Sequence, residues 1–293
     1  MSKFPSAVLT FALLLLSLAT PAPAQTRNAS ARKTSPPTYV VTTLPGYSSA
    51  GIGAAISNSA VAGQFTNEDN YPHAALFSLD GKSYQDLGVL PGGTQSVAQA
   101  VNGSNQAVGW ANSQLSSFRA VLFSGGAVIE IPNFPNAPAG ASAAAFANGI
   151  NNRGQIVGST QYGYGDIDHG FMYQDGQLTD LGAGYYPLAI NASGQSVGQV
   201  NTDAAFFHDG AVHDLGVLGG DNFSVAIAIN DSGAIVGSSY KCNYTERIPG
   251  CFAKDFSKPT HHFFFRSRFS FSARENEGPA LATSLLANAG DGN

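Results

Sequence analysis

Charge is what this chain has least of. Asp, Glu, Lys and Arg together make up 11% of its 293 residues, and they balance to −5 at pH 7. Without a basic surplus there is no electrostatic footprint for nucleic acid, which is not expected as a partner. The clustered basic residues Arg266, Arg268 and Arg274 stand in the least regular stretch of the chain. Cysteine is nearly absent: Cys242 and Cys251 are the two there are. No His or Cys joins them at ligand spacing, which disfavours a thiolate metal site. Long apolar runs are missing beyond the first 24 residues, so no transmembrane anchor is expected.

The one apolar run lies at the start. Lys3 precedes residues 7–19, which are apolar but for Thr10 and Ser17, and Ala22-Pro23-Ala24 follows as a small-x-small site. A spanning helix needs about 20 apolar residues. This shorter run has the three parts of a secretory signal, with cleavage expected between Ala24 and Gln25. Residues 1–24 are then a signal peptide and residues 25–38 a flexible, proline-ended linker. The product is expected to be secreted, in the extracellular space, the periplasm or at the cell surface. In such a compartment Cys242 and Cys251 are expected to pair as a disulfide closing a short loop.

What the chain has in quantity is glycine, 34 residues, and repetition. Residues 86–109 read DLGVLPGGTQSVAQAVNGSNQAVG and residues 214–237 read DLGVLGGDNFSVAIAINDSGAIVG, with 14 of 24 letters identical and no gap. The closing segment recurs as GINNRGQIVG at 149–158 and AINASGQSVG at 189–198, with a worn copy, AISNSAVAG, at 55–63. Its last glycine falls at Gly63, Gly109, Gly158, Gly198 and Gly237. Between copies comes an aromatic run: HAALF at 73–77, RAVLF at 119–123, HGFMY at 169–173 and DAAFF at 203–207. A turn dipeptide opening an alternating stretch follows it, at Asp80-Gly81, Gly125-Gly126, Asp175-Gly176 and Asp209-Gly210.

Each mark has a mechanism. Asp-Gly between alternating runs suits a two-residue hairpin turn, in which both central residues take positive φ. Asn-x-x-Gly suits a type I turn whose fourth residue goes left-handed, and Asn105, standing in one copy where Gly is usual, is the non-glycine residue most at ease there. Ahead of the box, Ser96, Ala98 and Ala100 alternate with larger residues, as do Ser224, Ala226 and Ala228, a period of two that makes a small-faced strand.

A unit therefore holds four short strands: one ending in Val-Gly, the aromatic one, the one after Asp-Gly, and the Ser/Ala one. Four strands in about 40 residues match a propeller blade. The expected fold is all-β, a β-propeller of about five four-stranded antiparallel blades over residues 39–265. Residues 38–57 resemble the last two strands of a unit, and AIVGSSY with HHFFF the first two. Two strands from each terminus are expected to complete one shared blade. Residues 266–293 show no unit marks and are expected to be irregular.

His73-Ala74-Ala75-Leu76-Phe77, Asp86-Leu87-Gly88-Val89-Leu90, the Gly-Gly pairs at 92–93 and 219–220, and Ile229-Asn230-Asp231-Ser232-Gly233-Ala234-Ile235-Val236-Gly237 together resemble the HAF-repeat family of predicted extracellular proteins. The match spans about residues 39–240. The resemblance implies an exported, mostly bacterial repeat protein and assigns no substrate. The box that names the family is intact nowhere, since Arg119 and Asp203 stand where His73 and His169 do.

That replacement argues against an obligatory metal role for the repeated His, which is expected to be partly covered at a strand start and bonded to backbone. The box interior, Gly103, Asn152, Ala192 and Asp231, does not suit calcium, which favours carboxylates. No cofactor is expected. Sequons occur at Asn28, Asn102, Asn191, Asn222, Asn230 and Asn243, three of them because Asn-x-Ser fits the turn box. Binding is expected in the variable loops between the Val-Gly and aromatic strands. These gather Glu68, Asp69, Tyr71, Trp110, Tyr162, Tyr164, Asp166 and Asp168 on one side. The expected function is a monomeric, non-catalytic module that binds a glycan, a surface polymer or a protein. The alternative is a glycan-active hydrolase with two of those carboxylates about 5 to 10 Å apart.

Overall fold

The computed structural model describes residues 41–46, 51–114, 118–133, 144–161, 168–241, 261–266 and 270–271. The chain divides after Val41, and every strand belongs to the unit Thr42–Asn293. The expected signal peptide, its Ala24–Gln25 cleavage site, the linker and the Cys242–Cys251 pair lie outside the described residues.

Among the described residues every regular element is a strand, and the strands form five antiparallel sheets of four. The first sheet holds β1 (Ile52–Ile56), β2 (Ala60–Thr66), β3 (Pro72–Ser78) and β4 (Tyr84–Gly88). The second holds β5 (Ser96–Val101), β6 (Ala107–Asn112), β7 (Phe118–Ser124) and β8 (Ala127–Glu130). The third holds β9 (Ala144–Ile150), β10 (Ile156–Gln161), β11 (His169–Gln174) and β12 (Gln177–Ala183). The fourth holds β13 (Tyr185–Ile190), β14 (Ser196–Val200), β15 (Asp203–His208) and β16 (Ala211–Gly216). The fifth holds β17 (Phe223–Ile229), β18 (Ile235–Tyr240), β19 (His261–Arg266) and β20 (Ser270–Phe271).

The expected sharing of one sheet between the termini does not occur. All four strands of each sheet are consecutive in the chain. The Ser/Ala strand opens a sheet instead of closing one, because the Asn-x-x-Gly turn folds it straight back on the Val-Gly strand. The longer link after each Asp-Gly strand is the one that crosses between sheets. Residues 41–46, expected within a strand, form none, and the fifth sheet gains its edge from Ser270–Phe271 in the stretch expected to be irregular.

The turn chemistry is as the residues dictate. Asp175 and Gly176 have φ of 49° and 81°, and Asp209 and Gly210 have 51° and 78°, the left-handed pair of a primed hairpin turn. Asp80-Gly81 differs: only Gly81 is left-handed, in a longer loop where the Asp80 carboxylate accepts from Ser78 Oγ and Lys82 N–H. In the boxes, Gly154, Gly194, Gly233 and the substitute Asn105 all take positive φ.

The five Val-Gly glycines have a different reason. A Cβ on Gly63, Gly109, Gly158, Gly198 or Gly237 would lie 1.9 to 2.2 Å from a carbonyl oxygen of the preceding strand. Each faces a β-bulge in the first strand of its sheet, where Ala54, Gln99, Asn148, Leu188 or Ile227 is the extra residue. The bulge breaks the alternation expected of the small-faced strand and brings backbone against backbone.

The sheets pack face to face in chain order. First strands meet first strands (β1 on β5, β5 on β9, β9 on β13, β13 on β17), while last strands meet thinly (β4 on β8, β12 on β16). Among the described residues no contact as extensive as these joins the first sheet to the fifth. Each junction has its own core: Ala62 and Ala74 against Ala98 and Val121, Val108 and Ala120 against Ile156 and Phe171, Val197 and Phe206 against Ala226 and Phe263. Small residues on one side let large ones enter from the other, and each buried large side chain contributes about 1.5 to 3 kcal/mol.

Candidate functional site

Between the cores, polar side chains stitch one sheet to the next. The Oδ1 atoms of Asn102, Asn151 and Asn191 each accept from two N–H groups of their own turn at 3.0 Å. Their Nδ2 atoms donate to the Gln four residues on and to the carbonyl of the next unit's box Asn: Asn102 to Asn151 at 3.2 Å, Asn151 to Asn191 at 2.9 Å and Asn191 to Asn230 at 3.1 Å. The amide nitrogens of the sequons at Asn102 and Asn191 are thus held inside the protein by two acceptors each.

At the opposite end of the sheets, Asp86, Asp180 and Asp214 of the Asp-Leu-Gly marks each accept from the N–H two residues on. That N–H belongs to a left-handed glycine, Gly88, Gly182 or Gly216. Ser96 and Ser224 each reach into the preceding sheet, accepting from Ala74 or Ala204 N–H and donating to the carbonyl of Gly88 or Gly216. The repeated letters are junction chemistry.

The repeated His is also bound differently from the expected backbone contact. His73 Nδ1 lies 3.0 Å from Asp86 and His169 Nδ1 2.9 Å from Asp180. Arg119 pairs with Glu130 at 3.6 Å in the same place. In these three units the side chain meets an acid on the neighbouring strand, His with Asp twice and Arg with Glu once. The fourth unit departs from this, with Asp203 and Asp214 at the two positions.

The end of the sheets that carries the β2–β3, β6–β7, β10–β11 and β14–β15 connections is the candidate site. Glu68, Asp69 and Tyr71 are exposed there in one turn, whose Asn67 Oδ1 accepts from Tyr71 N–H at 2.8 Å. Trp110, expected in a loop, is in strand β6, because Trp110 pairs with both Val97 and Ala120. Its indole meets the ring of Phe118 edge-on at 4.8 Å, and Phe118 meets Phe146 of the next sheet at 6.0 Å. Phe118 remains 37% exposed. Asp168 accepts from the hydroxyl of Tyr186, again across a junction. Burial, and then the Asp168 carboxylate, push the Tyr186 phenol above its ordinary value, so it stays a donor. Tyr162, Tyr164 and Asp166 lie outside the described residues.

Phe146, Ser159 and Gly170 form one row across the third sheet, and Asp168 lies two residues past its end. With strands about 4.8 Å apart, the aromatic cluster and the Tyr186–Asp168 pair flank a single sheet. Reading by loops missed Phe118, Phe146 and Tyr186. Phe118 stands immediately before the RAVLF run, but only packing of two sheets shows which strand-borne rings meet. Glu68 and Asp69 are sequence neighbours in one turn, and the Asp168 carboxylate accepts from the Tyr186 hydroxyl. Among the described residues no group of three His, Cys, Asp or Glu is placed to hold a metal ion, and no helix is long and apolar enough to cross a membrane.

No family model matches the chain, and no curated protein matches it. Among solved structures, an acylaminoacyl peptidase from Pyrococcus horikoshii is similar over 75% of this chain at 13% identity, with a TM-score of 0.42. The matched part spans 37% of the peptidase's length. A likeness at that level carries no argument about activity.

Proposed function

We propose that the protein is an exported, non-catalytic binding module of the HAF-repeat type that takes a glycan or surface polymer on the loop end of its sheets. The five sheets are arranged radially as propeller blades, with β1, β5, β9, β13 and β17 innermost. Close packing of first strands beside thin contact of last strands supports that wedge-like order. The signal-like N-terminus and the order of the three sequence boxes support export and the family.

The observation that carries the binding reading is the Trp110–Phe118–Phe146 cluster, with Phe118 open to solvent at a junction of two sheets. An exposed aromatic face offers the C–H side of a sugar ring an apolar platform, and the carboxylate and phenol of Asp168 and Tyr186 give its hydroxyls acceptors and donors. The test is a glycan array with the secreted protein, followed by Trp110→Ala and Phe118→Ala. Binding to the retained polysaccharide is expected to fall at least tenfold, about 1.4 kcal/mol, with the circular dichroism unchanged. Retention of no glycan, or equal binding by both variants, would overturn it.

A further inference from the structure

The turn between β2 and β3, residues 67–71, is tied to the first sheet through one histidine. Backbone bonds close it: Asn67 N–H donates to the Tyr71 carbonyl at 2.9 Å, and Asn70 N–H donates to the Asn67 carbonyl at 3.1 Å. The Asn67 side chain makes the tie. One of its ends accepts from Tyr71 N–H at 2.8 Å, and the other lies 3.1 Å from His73 Nε2. A backbone N–H can only donate, so the first end is the amide oxygen and the second is Nδ2, which also can only donate. His73 Nε2 is therefore the acceptor and carries no proton. The ring's proton is on Nδ1, which donates to the Asp86 carboxylate at 3.0 Å. The relay runs one way, from Tyr71 through Asn67 and His73 to Asp86, and it fixes both the amide's orientation and the ring's tautomer.

A second proton on the ring breaks this order. Nε2–H would then face Nδ2–H across 3.1 Å, two donors with no acceptor between them. Turning the amide over offers its oxygen to the ring but sets Nδ2–H against Tyr71 N–H, so one bond of the turn is lost in either orientation. The ring itself stays, because its charge strengthens the bond to Asp86. Of the charged groups around it, Asp86 on β4 holds the ring, while Glu68 and Asp69 stand exposed on the turn. The other neighbours add no charge. Phe65 on β2 meets the ring edge-on at 5.9 Å. Residues 42–46, which cover this outer face of the first sheet as Leu44 packs with Phe65 and Phe77, are uncharged, as is strand β5 of the next sheet. The second and fourth units lack the parts: counted from the Val-Gly glycine, Ser113 and Thr202 stand at the place of Asn67, and Arg119 and Asp203 open their aromatic runs.

We propose that residues 67–71 are a second ligand-contacting element at the loop end, with Tyr71 as the contact, and that His73 is the positioning residue that makes this element sensitive to acid. The neutral ring holds the turn closed, and the protonated ring releases the N–H of the contact residue itself. Tyr71 is 40% exposed, at the same end of the sheets as the Trp110–Phe118–Phe146 cluster. An aromatic side chain there gives a sugar polymer a further apolar face. A glycan taken at neutral pH is then let go in acid. What Tyr71 touches rests on the glycan reading above, whereas the coupling of the turn to His73 rests on the relay alone.

Nuclear magnetic resonance of the isotope-labelled full chain, titrated from about pH 8 to about pH 5, the range in which histidines change charge, tests the gate. Protection of Tyr71 N–H from hydrogen exchange, taken against the intrinsic rate at each pH, is expected to fall about tenfold or more in step with the His73 ring signals. Gly88 N–H, which donates to Asp86 at 2.8 Å, is expected to keep its protection. In His73→Gln the fall is expected to vanish. It is expected to vanish in Asn67→Asp as well, where the second carboxylate oxygen accepts from the protonated ring. A fall that persists in either variant, or no fall in the native chain, would overturn the gate. For a glycan retained on the array, Kd is expected to rise about fivefold or more over the same range, and by a similar factor in Tyr71→Ala at neutral pH. A turn that opens while Kd stays level would refute the contact role and leave the Trp110 platform standing. Retention of no glycan would sink the binding reading and the contact role with it, while the Tyr71 protection still decides the gate.

Discussion

Glycine does two jobs in this chain, and the residue scale is where they separate. Gly176 occupies a left-handed turn with open space around it, whereas Gly109 is an extended residue whose Cβ would sit 1.9 Å from the Val97 carbonyl. Gly176→Ala therefore strains only the backbone and is expected to cost about 1 kcal/mol. Gly109→Ala drives a methyl into fixed backbone at a bulge and is expected to cost about 3 kcal/mol or more. Urea denaturation of both variants checks the ratio, and equal midpoints would sink the distinction. The sequence aligns both glycines equally well. It shows the turn reason, because Asp-Gly carries its own geometry, but not the bulge reason, which belongs to a carbonyl some twelve residues away.

At the scale of elements, the Asn-x-x-Gly box is both a hairpin turn and a tie between sheets. As a turn it was legible, since the Asn side chain accepts from its own backbone and Gly or Asn takes the left-handed place. As a tie it was not, because the acceptor of Asn151 is the carbonyl of Asn191, forty residues on. Asn151 is 6% exposed, and its Nδ2 donates to Gln155 and Asn191 while its Oδ1 keeps the turn. Asn151→Asp preserves the turn acceptor and sets a carboxylate oxygen against two acceptors, so it is expected to destabilise by about 2 to 4 kcal/mol. Asn152→Ala, on the exposed side of the same turn, loses one bond to Gly103 and is expected to cost under about 1 kcal/mol. Thermal denaturation of the pair at neutral pH distinguishes a tie from a simple turn. His73 teaches the same lesson: its partner Asp86 lies on the neighbouring strand, and the paired change to Arg119 with Glu130 was the trace left in the sequence.

For the whole molecule, the three tyrosines perturbed among the described residues set a limit on the alkaline side. Burial holds Tyr185, Tyr186 and Tyr240 above the ordinary phenol value of 10.0, with Asp168 adding to the effect at Tyr186. In the unfolded chain these phenols ionise near 10, while in the folded protein they keep their protons. Their contribution to stability is complete below pH 10 and is lost as pH rises beyond it through the folded values. The melting temperature is therefore expected to fall steeply above pH 10. Tyr186→Phe is expected to flatten that fall, and an identical slope in the variant would contradict the assignment.

Local rules in the sequence were enough to determine the all-β class, a count of about five four-stranded units and the two-residue turns at Asp175-Gly176 and Asp209-Gly210, since period-two alternation and positive φ act over a few residues. They also placed the variable connections at one end. Which strand opens a sheet, what covers the first sheet's outer face, and that Trp110 belongs to a strand whose ring meets Phe118 and, through it, Phe146 were decided only in the tertiary structure. Each of those depends on backbone bulges and on side chains brought together from different units, and contacts between units leave no fixed spacing in the chain that makes them.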